Sequence, residues 1–259
     1  KRLSDWPEEA RQRALSCHYD AYWLALDAAS HEAQARQMRA ADDANEALSL
    51  TAKTDEFRSV TEISIYTGDH PGLFSQLAGA VAMCGATIVD AKIFTTTDGM
   101  ALDLFSIQDS EGRPLGDPRR IERLRETIVK VLGGKIVPRT VIDARHVRRR
   151  EEAFRVEPRV LIDNSASDTY TVVEVNGRDR PGLLHDLTRA LFVASVTIHS
   201  AQIATYGERA VDVFYVKDGF GLKITHAQRI ETVRAKMLEA LGDGGVRVPR
   251  RKRAARQAS

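Results

Sequence analysis

The chain has 259 residues, of which 43% are hydrophobic and 29% are charged, and its formal net charge is +2. This length accommodates two small domains with additional structure, and the composition is that of a globular protein. The near-neutral charge argues against nucleic acid as a partner for the body of the protein. No apolar run could span a membrane and no signal-peptide core is present, so we expect a cytoplasmic protein without membrane contact. The first residue is Lys1 rather than methionine, which fits a piece of a longer polypeptide.

Residues 1–58 are predicted to form a polar, helical connecting segment. A first helix begins near Asp5, and a stretch rich in Ala, Glu, Gln and Arg predicts a second helix from about His31 to Leu50. Between them lies an aromatic stretch that includes Tyr22 and Trp23. It is too apolar for a free linker, so we expect it to dock on the domains that follow or on a domain upstream.

Residues 59–142 show the periodicity of a small α+β domain. Alternating apolar residues predict strands, and apolar residues at helical spacing predict helices. Gly85 ends the first helix, and Thr97-Asp98-Gly99 forms a hairpin turn. The predicted elements are a strand at Val60–Thr67, a helix from Leu73 to Cys84, hairpin strands at Thr87–Thr96 and Met100–Asp109, a helix from Asp117 to Leu132 and a last strand at Ile136–Val141.

Residues 143–168 are predicted to be a charged linker with an additional strand at Arg159–Ile162, and residues 169–249 repeat the domain. A basic tail, residues 250–259, is expected to be disordered and solvated rather than a nucleic-acid site. The elements of the second domain are a strand at Thr169–Asn176, a helix from Leu183 to Ala194, hairpin strands at Val196–Thr205 and Arg209–Lys217, a helix from Ile230 to Leu241 and a last strand at Val246–Val248.

The two domains are copies of one another. The turn Asp69-His70-Pro71-Gly72-Leu73 returns as Asp179-Arg180-Pro181-Gly182-Leu183, and the offset of 110 residues becomes 109 after the hairpin turns. Solenoid repeats are shorter, with about 20–50 residues in each unit. The order βαββαβ in each copy predicts a pair of ferredoxin-like domains, each with two helices on one face of an antiparallel sheet.

The repeated turn has the chemistry of a binding site for an amino-acid zwitterion. Proline fits the first helical position, and glycine lets a ligand approach the backbone. The free N–H groups of a helix start favour a carboxylate, and the preceding aspartate can accept from an ammonium or amide group. The alternative is that the aspartate only caps the helix while proline and glycine shape a tight turn. One copy alone does not separate these two interpretations.

The third strand of the second domain is apolar on both faces. Val211, Val213 and Tyr215 point one way, while Phe214 and Val216 point the other way beside Asp212. The outer face of an isolated one-sided sheet is polar. We therefore expect the N-terminal aromatic residues or a neighbouring repeat to cover this outer face.

Two residue pairs have the composition of metal ligands but not the context. Asp42-Asp43 lies in a polar helix without a neighbouring segment that could hold magnesium against nucleotide phosphates. His185-Asp186 has no companion histidines and is replaced by Ser75-Gln76 in the first repeat, so we place it on the surface. No Ser/His/Asp set, Cys-x-x-Cys pair or phosphate-binding glycine loop occurs. We predict no catalytic residue, metal site or cofactor in this chain.

The repeated turn within a βαββαβ unit resembles the ACT domain, an amino-acid-sensing module. Longer segments narrow the resemblance to the paired ACT domains of the bifunctional PII uridylyltransferase/uridylyl-removing enzyme family, over nearly the whole chain. Among these segments are Asp69-His70-Pro71-Gly72-Leu73-Phe74, Asp98-Gly99-Met100-Ala101-Leu102-Asp103 and Thr205-Tyr206-Gly207-Glu208-Arg209-Ala210-Val211-Asp212-Val213-Phe214-Tyr215.

The resemblance implies a glutamine-sensing regulatory region with ACT–ACT contacts. It implies control of the PII signal protein through catalytic domains that use UTP and Mg²⁺ and that this chain lacks. The alternatives are a stand-alone tandem ACT regulator acting by protein–protein contact and a purely structural dimerisation module. The implied glutamine-binding residues are Asp69, His70, Pro71, Gly72 and Leu73 in the first turn and Asp179, Arg180, Pro181, Gly182 and Leu183 in the second.

Overall fold

A computed structural model describes residues 3–138, 156–206 and 208–242. Within these ranges the chain forms seven helices and eight strands. The helices are α1 (Glu8–Ser16), α2 (Asp20–Ala25), α3 (Ala28–Asp43), α4 (Leu73–Met83), α5 (Pro118–Leu132), α6 (Leu183–Val193) and α7 (Ala227–Gly242). The strands are β1 (Leu48–Asp55), β2 (Val60–Gly68), β3 (Ala86–Thr95), β4 (Met100–Asp109), β5 (Arg159–Asp163), β6 (Thr171–Arg178), β7 (Val196–Tyr206) and β8 (Arg209–Asp218).

All eight strands belong to one antiparallel sheet in the order β1-β2-β4-β3-β7-β8-β6-β5. The first unit contributes β1 to β4 and the second contributes β5 to β8, so the sheet is two four-stranded halves joined edge to edge. The joint is short, with three residue pairs between β3 and β7 centred on Ala91 opposite Ala201. The predicted α+β class with two ACT-like units after a helical segment is confirmed.

The edge strand of each half differs from the predicted element order. The helix expected from His31 to Leu50 ends at Asp43, and Leu48–Asp55 forms β1, which pairs with β2 along its whole length. The expected helical character of residues 48–55 was wrong, because Ser49 and Leu50 are buried by pairing and packing that helical periodicity does not reveal. In the second half, β5 takes the same edge place beside β6, which confirms the additional strand.

The predicted last strands do not appear in the described residues. Residues 136–138 of the predicted strand Ile136–Val141 form no strand, and its other residues lie outside the described residues. Val246–Val248, the charged stretch of the linker and the basic tail also lie outside them. In each described half, the outer edge strand (β1 or β5) therefore comes before the repeat in the chain, whereas the predicted last strand comes after it.

The helices of the repeats pack on one face of the sheet. α4 and α5 cover the first half, α6 and α7 cover the second, and α4 also contacts α6 across the joint. A continuous core of buried residues runs through both halves, with Leu77, Phe105, Leu187 and Phe214 among its most buried members. Asp117 caps α5 by accepting from the Arg119 N–H.

The N-terminal helices cover the opposite face of the first half. Tyr22 is 2% exposed and packs edge-on against Phe94 with ring centroids 5.2 Å apart. Tyr66 and Leu102 join this second apolar cluster from the sheet. The aromatic segment thus docks on the repeats, as one of the two expectations proposed, although Leu24 within it is 88% exposed.

The outer face of the second half has a different cover. Val211, Val213 and Tyr215 are only half-buried there. The described residue whose ring contacts this face is Tyr170, whose centroid lies 6.3 Å from that of Tyr215. The expected cover by the N-terminal aromatics was wrong for this half, because those helices pack on the first half.

No helix in the described ranges is both long and apolar enough to cross a membrane.

Candidate functional site

Each repeated turn leads from the first strand of its repeat into the following helix. Gly72 and Gly182 occupy the positions before α4 and α6 with φ of +87° and +80°, in the left-handed region that glycine adopts readily. Both glycines, and not the aspartates, are the N-cap residues of these helices. The interpretation in which the aspartate only caps the helix therefore does not describe either turn.

The backbone of the first turn leaves hydrogen-bond donors available. The Leu73 N–H donates to the His70 carbonyl, and the Gln76 N–H donates to the Gly72 carbonyl. The N–H groups between these two, on Phe74 and Ser75, have no acceptor among the described residues. Such groups at a helix start attract a carboxylate, because they combine free donors with the positive end of the helix dipole.

The two aspartates of the turns are held at the ends of the strands. The Asp69 N–H donates to the Gly99 carbonyl, and its carboxylate accepts from the Thr95 hydroxyl at 2.9 Å. The Asp179 N–H donates to the Glu208 carbonyl at 2.8 Å. Burial raises the pKa of the Asp179 carboxyl. Each aspartate therefore stands beside the helix start as an acceptor, Asp69 in an exposed position and Asp179 in a partly buried one.

The first turn opens into a cavity of about 500 Å³, which we call the first cleft. Its other wall comes from the second half, at the end of α6 and the start of β7. The ring of Phe192 stands over Gly72, where an added Cβ would lie 3.5 Å from the ring atoms. All five predicted residues of the first turn line this cleft, together with Thr188 and Ser195 from the other half.

The second turn opens into a cavity of about 290 Å³, which we call the second cleft. Its other wall comes from the first half, at the end of α4 and the start of β3. The residues there occupy the positions 110 earlier in the chain, so that Ala82 stands where Phe192 stands in the first cleft. All five predicted residues of the second turn line this cleft, together with Ala78 and Gly85 from the other half.

The two clefts are therefore related by the duplication, and neither is complete without both halves. They are not identical. In the second cleft the Arg180 side chain is largely buried, pairs with Asp186 and donates to the Ala240 carbonyl at 2.9 Å. His70 in the first cleft is exposed. The second cleft, which has the packed Arg180 side chain at its rim, is the smaller of the two.

A buried carboxyl group lines each cleft, and the sequence-based site missed both. Asp103 is 1% exposed and Asp212 is 2% exposed. Each lies on the helix-facing side of its strand, Asp103 between Ala101 and Phe105 and Asp212 between Ala210 and Phe214. Burial, reinforced by Asp69, raises the pKa of Asp103 well above its usual range; burial, reinforced by Asp179, raises that of Asp212 to about 7.

A signal for these two residues was present in the sequence. Asp103 and Asp212 match each other in the two repeats, and each falls on the inward-facing positions of an alternating strand. A carboxyl group at such a position is unfavourable without a partner. Its recurrence in both copies was visible, whereas its position in a cleft depends on the packing of the halves.

His185 is buried, which corrects its predicted placement on the surface. It is 4% exposed, and its Nδ1 lies 2.7 Å from the Ser75 carbonyl oxygen, so Nδ1–H donates across the α4–α6 contact. The contact is tight: a Cβ at Gly79 would lie 2.9 Å from His185 Nδ1 and 2.5 Å from Pro138. Ser75 is the residue of the first repeat that corresponds to His185, so corresponding residues of the two repeats contact each other here.

The described residues contain no group of three or more His, Cys, Asp or Glu side chains suited to a metal ion.

Comparison with known proteins agrees with this architecture. A model of the ACR family N-terminal ACT domain matches residues 166–240. The bifunctional uridylyltransferase/uridylyl-removing enzyme of Azospirillum brasilense is 50% identical over 246 residues, which are 93% of this chain and 26% of that protein. The enzyme of the same name from Rhodospirillum rubrum is 46% identical over 92% of this chain, and that of Gluconobacter oxydans is 47% identical over 94%. The chain belongs to the ACT region of this enzyme family.

The resemblance inferred from the repeated turns is thereby confirmed for the ACT region. The chain spans about a quarter of the length of the uridylyltransferase/uridylyl-removing enzymes that it matches, 26% for those of Azospirillum brasilense and Rhodospirillum rubrum. Among solved structures, an unknown protein from Galdieria sulphuraria covers 70% of the chain at 14% identity with a TM-score of 0.23.

Proposed function

We propose that this chain is the glutamine-sensing regulatory region of a PII uridylyltransferase/uridylyl-removing enzyme. The observation that carries the proposal is the pair of clefts. Each one combines a helix start, a left-handed glycine and two acidic side chains, and each is closed by the opposite half of the chain. The proposed setting is the cytoplasm.

The first cleft has complementary groups for both ends of a zwitterion. The N–H groups at the start of α4 suit the ligand carboxylate. The Asp69 carboxylate at the mouth of the cleft suits the donors of the ligand's nitrogen groups. A cavity of about 500 Å³ is in the range of small-molecule sites. The second cleft offers the same kinds of group around Gly182, in a smaller volume.

The position of the clefts suggests how binding is transmitted. A ligand changes the balance between two arrangements only if it binds one of them more tightly. Because each cleft has walls from both halves, rotation of one half against the other would change both clefts. The short β3–β7 joint and the α4–α6 contact are where such a rotation would occur. Coupling of about 1–3 kcal/mol is typical of allosteric proteins.

The output proposed for the whole enzyme follows from the family. In that proposal, low glutamine favours attachment of uridylyl groups to the PII protein from UTP with Mg²⁺, and high glutamine favours their removal. The catalytic domains would carry out both reactions, and this chain would report the glutamine level to them. Relatives about four times longer than the chain favour this role over that of a stand-alone ACT regulator.

Calorimetric titration of the 259-residue chain with L-glutamine tests the proposal. We expect saturable binding at two sites, and no binding of a larger amino acid such as tryptophan. In Gly72→Val, a β-branched residue is forced to a φ of +87°, so the first turn is distorted and the stoichiometry falls to one.

The matched control is Gly134→Val, which places the same strain at a φ of +68° with open space around it and outside both clefts. It should keep both sites. If the unaltered chain gives no heat and no thermal stabilisation with glutamine, the proposed function is wrong.

A further inference from the structure

Each cleft brings two carboxyl groups together, Asp69 with Asp103 in the first and Asp179 with Asp212 in the second. Asp103 and Asp212 each have one carboxyl oxygen, Oδ1, that is fully buried and has no hydrogen-bond partner in the described chain. A buried carboxyl oxygen without a partner costs stability, because it loses its hydration without gaining a hydrogen bond. The same unpartnered carboxyl oxygen occurs at the same place in both repeats, which is typical of a functional site.

Among the described residues, no lysine or arginine lines the first cleft. The titratable side chains that line this cleft, within the described residues, are Asp69, His70 and Asp103. Asp69 is close enough to disfavour the charged form of Asp103 by like-charge repulsion. The remaining walls contribute apolar and hydroxyl side chains. Two carboxyl groups without a lysine or arginine create a demand for a positively charged partner.

The second cleft has one cation, but it is engaged elsewhere. Its titratable lining residues within the described chain are Asp179, Arg180, His185 and Asp212. Arg180 pairs with Asp186 and bonds the Ala240 carbonyl, and His185 donates to the Ser75 carbonyl. Asp212 thus faces Asp179. Arg180 opposes the rise in the pKa of Asp179, while its terminal nitrogen is bound to Asp186 and to the Ala240 carbonyl.

We propose that Asp103 and Asp212 receive the α-ammonium group of the bound amino acid, one in each cleft, beneath the aspartate of the turn. This inference rests on the proposed amino-acid binding and adds two specificity-determining residues to it. A full positive charge satisfies two neighbouring carboxylates, whereas a neutral carboxamide leaves their repulsion in place. The ligand carboxylate is then directed to the helix start, and the side chain points along the apolar wall from the other half.

Binding of an ammonium group at Asp212 would change the number of protons that the second cleft holds. Burial and Asp179 raise the pKa of Asp212 to about 7, so below neutral pH this group is largely protonated in the empty cleft. An ammonium ligand favours the carboxylate form, and its binding would release the proton to solvent. Affinity at the second cleft should therefore rise as the pH increases towards 7 and then level off.

The test compares L-glutamine with glutaramic acid, which lacks only the α-amino group, by calorimetry on the full chain. We expect glutaramic acid to bind at least about 30-fold more weakly, as is usual when one partner of a buried charge pair is removed. Asp103→Asn and Asp212→Asn keep the shape of the side chain, and each should weaken glutamine by a similar factor at one of the two sites. Asp163→Asn, on a half-buried aspartate of the outer edge strand β5 that lies outside both clefts, is the matched control and should bind as the parent chain does.

Proton release gives a readout that a merely structural role would not change. Titration at pH 6.5 in two buffers of different ionisation enthalpy measures it, and Asp212→Asn should release fewer protons than the parent chain. Unchanged glutamine affinity in both Asn variants, or equal binding of glutaramic acid, would overturn the inference and leave glutamine sensing intact. Absence of glutamine binding to the parent chain would instead overturn the proposed function.

Discussion

Asp212 is a residue whose cost to the fold can be measured. Its pKa is raised from an ordinary 3.8 to about 7 in the folded chain, mainly by burial. Below about pH 4 the group is protonated in both the folded and unfolded states, and its contribution to stability is fully present. As the pH rises towards 7 the unfolded chain loses the proton and the folded chain keeps it. The free energy of unfolding therefore falls over this window, by up to about 4 kcal/mol.

Asp212→Asn should remove this dependence, because the amide does not ionise. The variant should be more stable than the parent chain at pH 8, and the difference between the two should shrink towards pH 4. Urea denaturation at pH 5, 6.5 and 8 measures the two profiles. Parallel profiles for the parent and the variant would contradict the assignment of a strongly raised pKa to this side chain.

At the residue level, the sequence predicted the turn residues of each cleft but not its buried carboxyl group. The repeated turns indicated Gly72 and Gly182 as positions where a ligand can approach the backbone, and the structure gives both a positive φ. Asp103 and Asp212 were seen as repeat matches but were not assigned to the site. His185 was placed on the surface because its neighbour in space, Ser75, lies 110 residues away in the chain, and local patterns carry no information on that contact.

At the level of elements, periodicity predicted the interior of each repeat well. The hairpins β3–β4 and β7–β8 and the helices α4 to α7 lie where alternation and helical spacing placed them. The edge strand β1 was missed, because its residues follow an Ala-rich helix and only their pairing with β2 buries Leu50. Pairing partners supply the burial that defines an edge strand, so its own sequence is a weak signal.

The docking of the N-terminal helices on the first half can be tested at Tyr22. This side chain is 2% exposed and packs on Phe94, so Tyr22→Ala should lower the free energy of unfolding by about 3 kcal/mol. It should also speed hydrogen exchange in α3. Leu24→Ala is the matched control, since Leu24 is 88% exposed and its truncation should change stability by less than about 0.5 kcal/mol. Equal effects of the two changes would show that α2 does not pack as described.

At the scale of the whole molecule, the sequence predicts the duplication but not how the two halves pack together. The offset of 110 residues identified two equivalent turns. The joining of the halves through β3 and β7 depends on three residue pairs and on close helix contact at Gly79. These contacts produce no periodic pattern of apolar residues in the sequence. This assembly matters for function, because it turns two surface turns into two enclosed clefts.

The dependence of both clefts on one joint gives a final prediction. Ala91 and Ala201 face each other across β3 and β7, and both are fully buried. Ala91→Glu would place a charge without a partner in the joint, at a cost of about 3–5 kcal/mol. Because only three residue pairs join β3 to β7, whereas β2–β4 and β6–β8 each pair over eight residues, we expect the halves to separate before either half unfolds. Glutamine binding should then be lost at both clefts together, although Ala91 lines neither.

Calorimetry with L-glutamine and differential scanning calorimetry measure the two effects of Ala91→Glu. The expected result is loss of both sites, with retained far-ultraviolet circular dichroism and a broadened or split unfolding transition. Ala52→Glu is the matched control, because Ala52 is an exposed position on the edge strand β1 and the same charge there is solvated. Loss of a single site would mean that one cleft is formed within one half, which is incompatible with walls drawn from both.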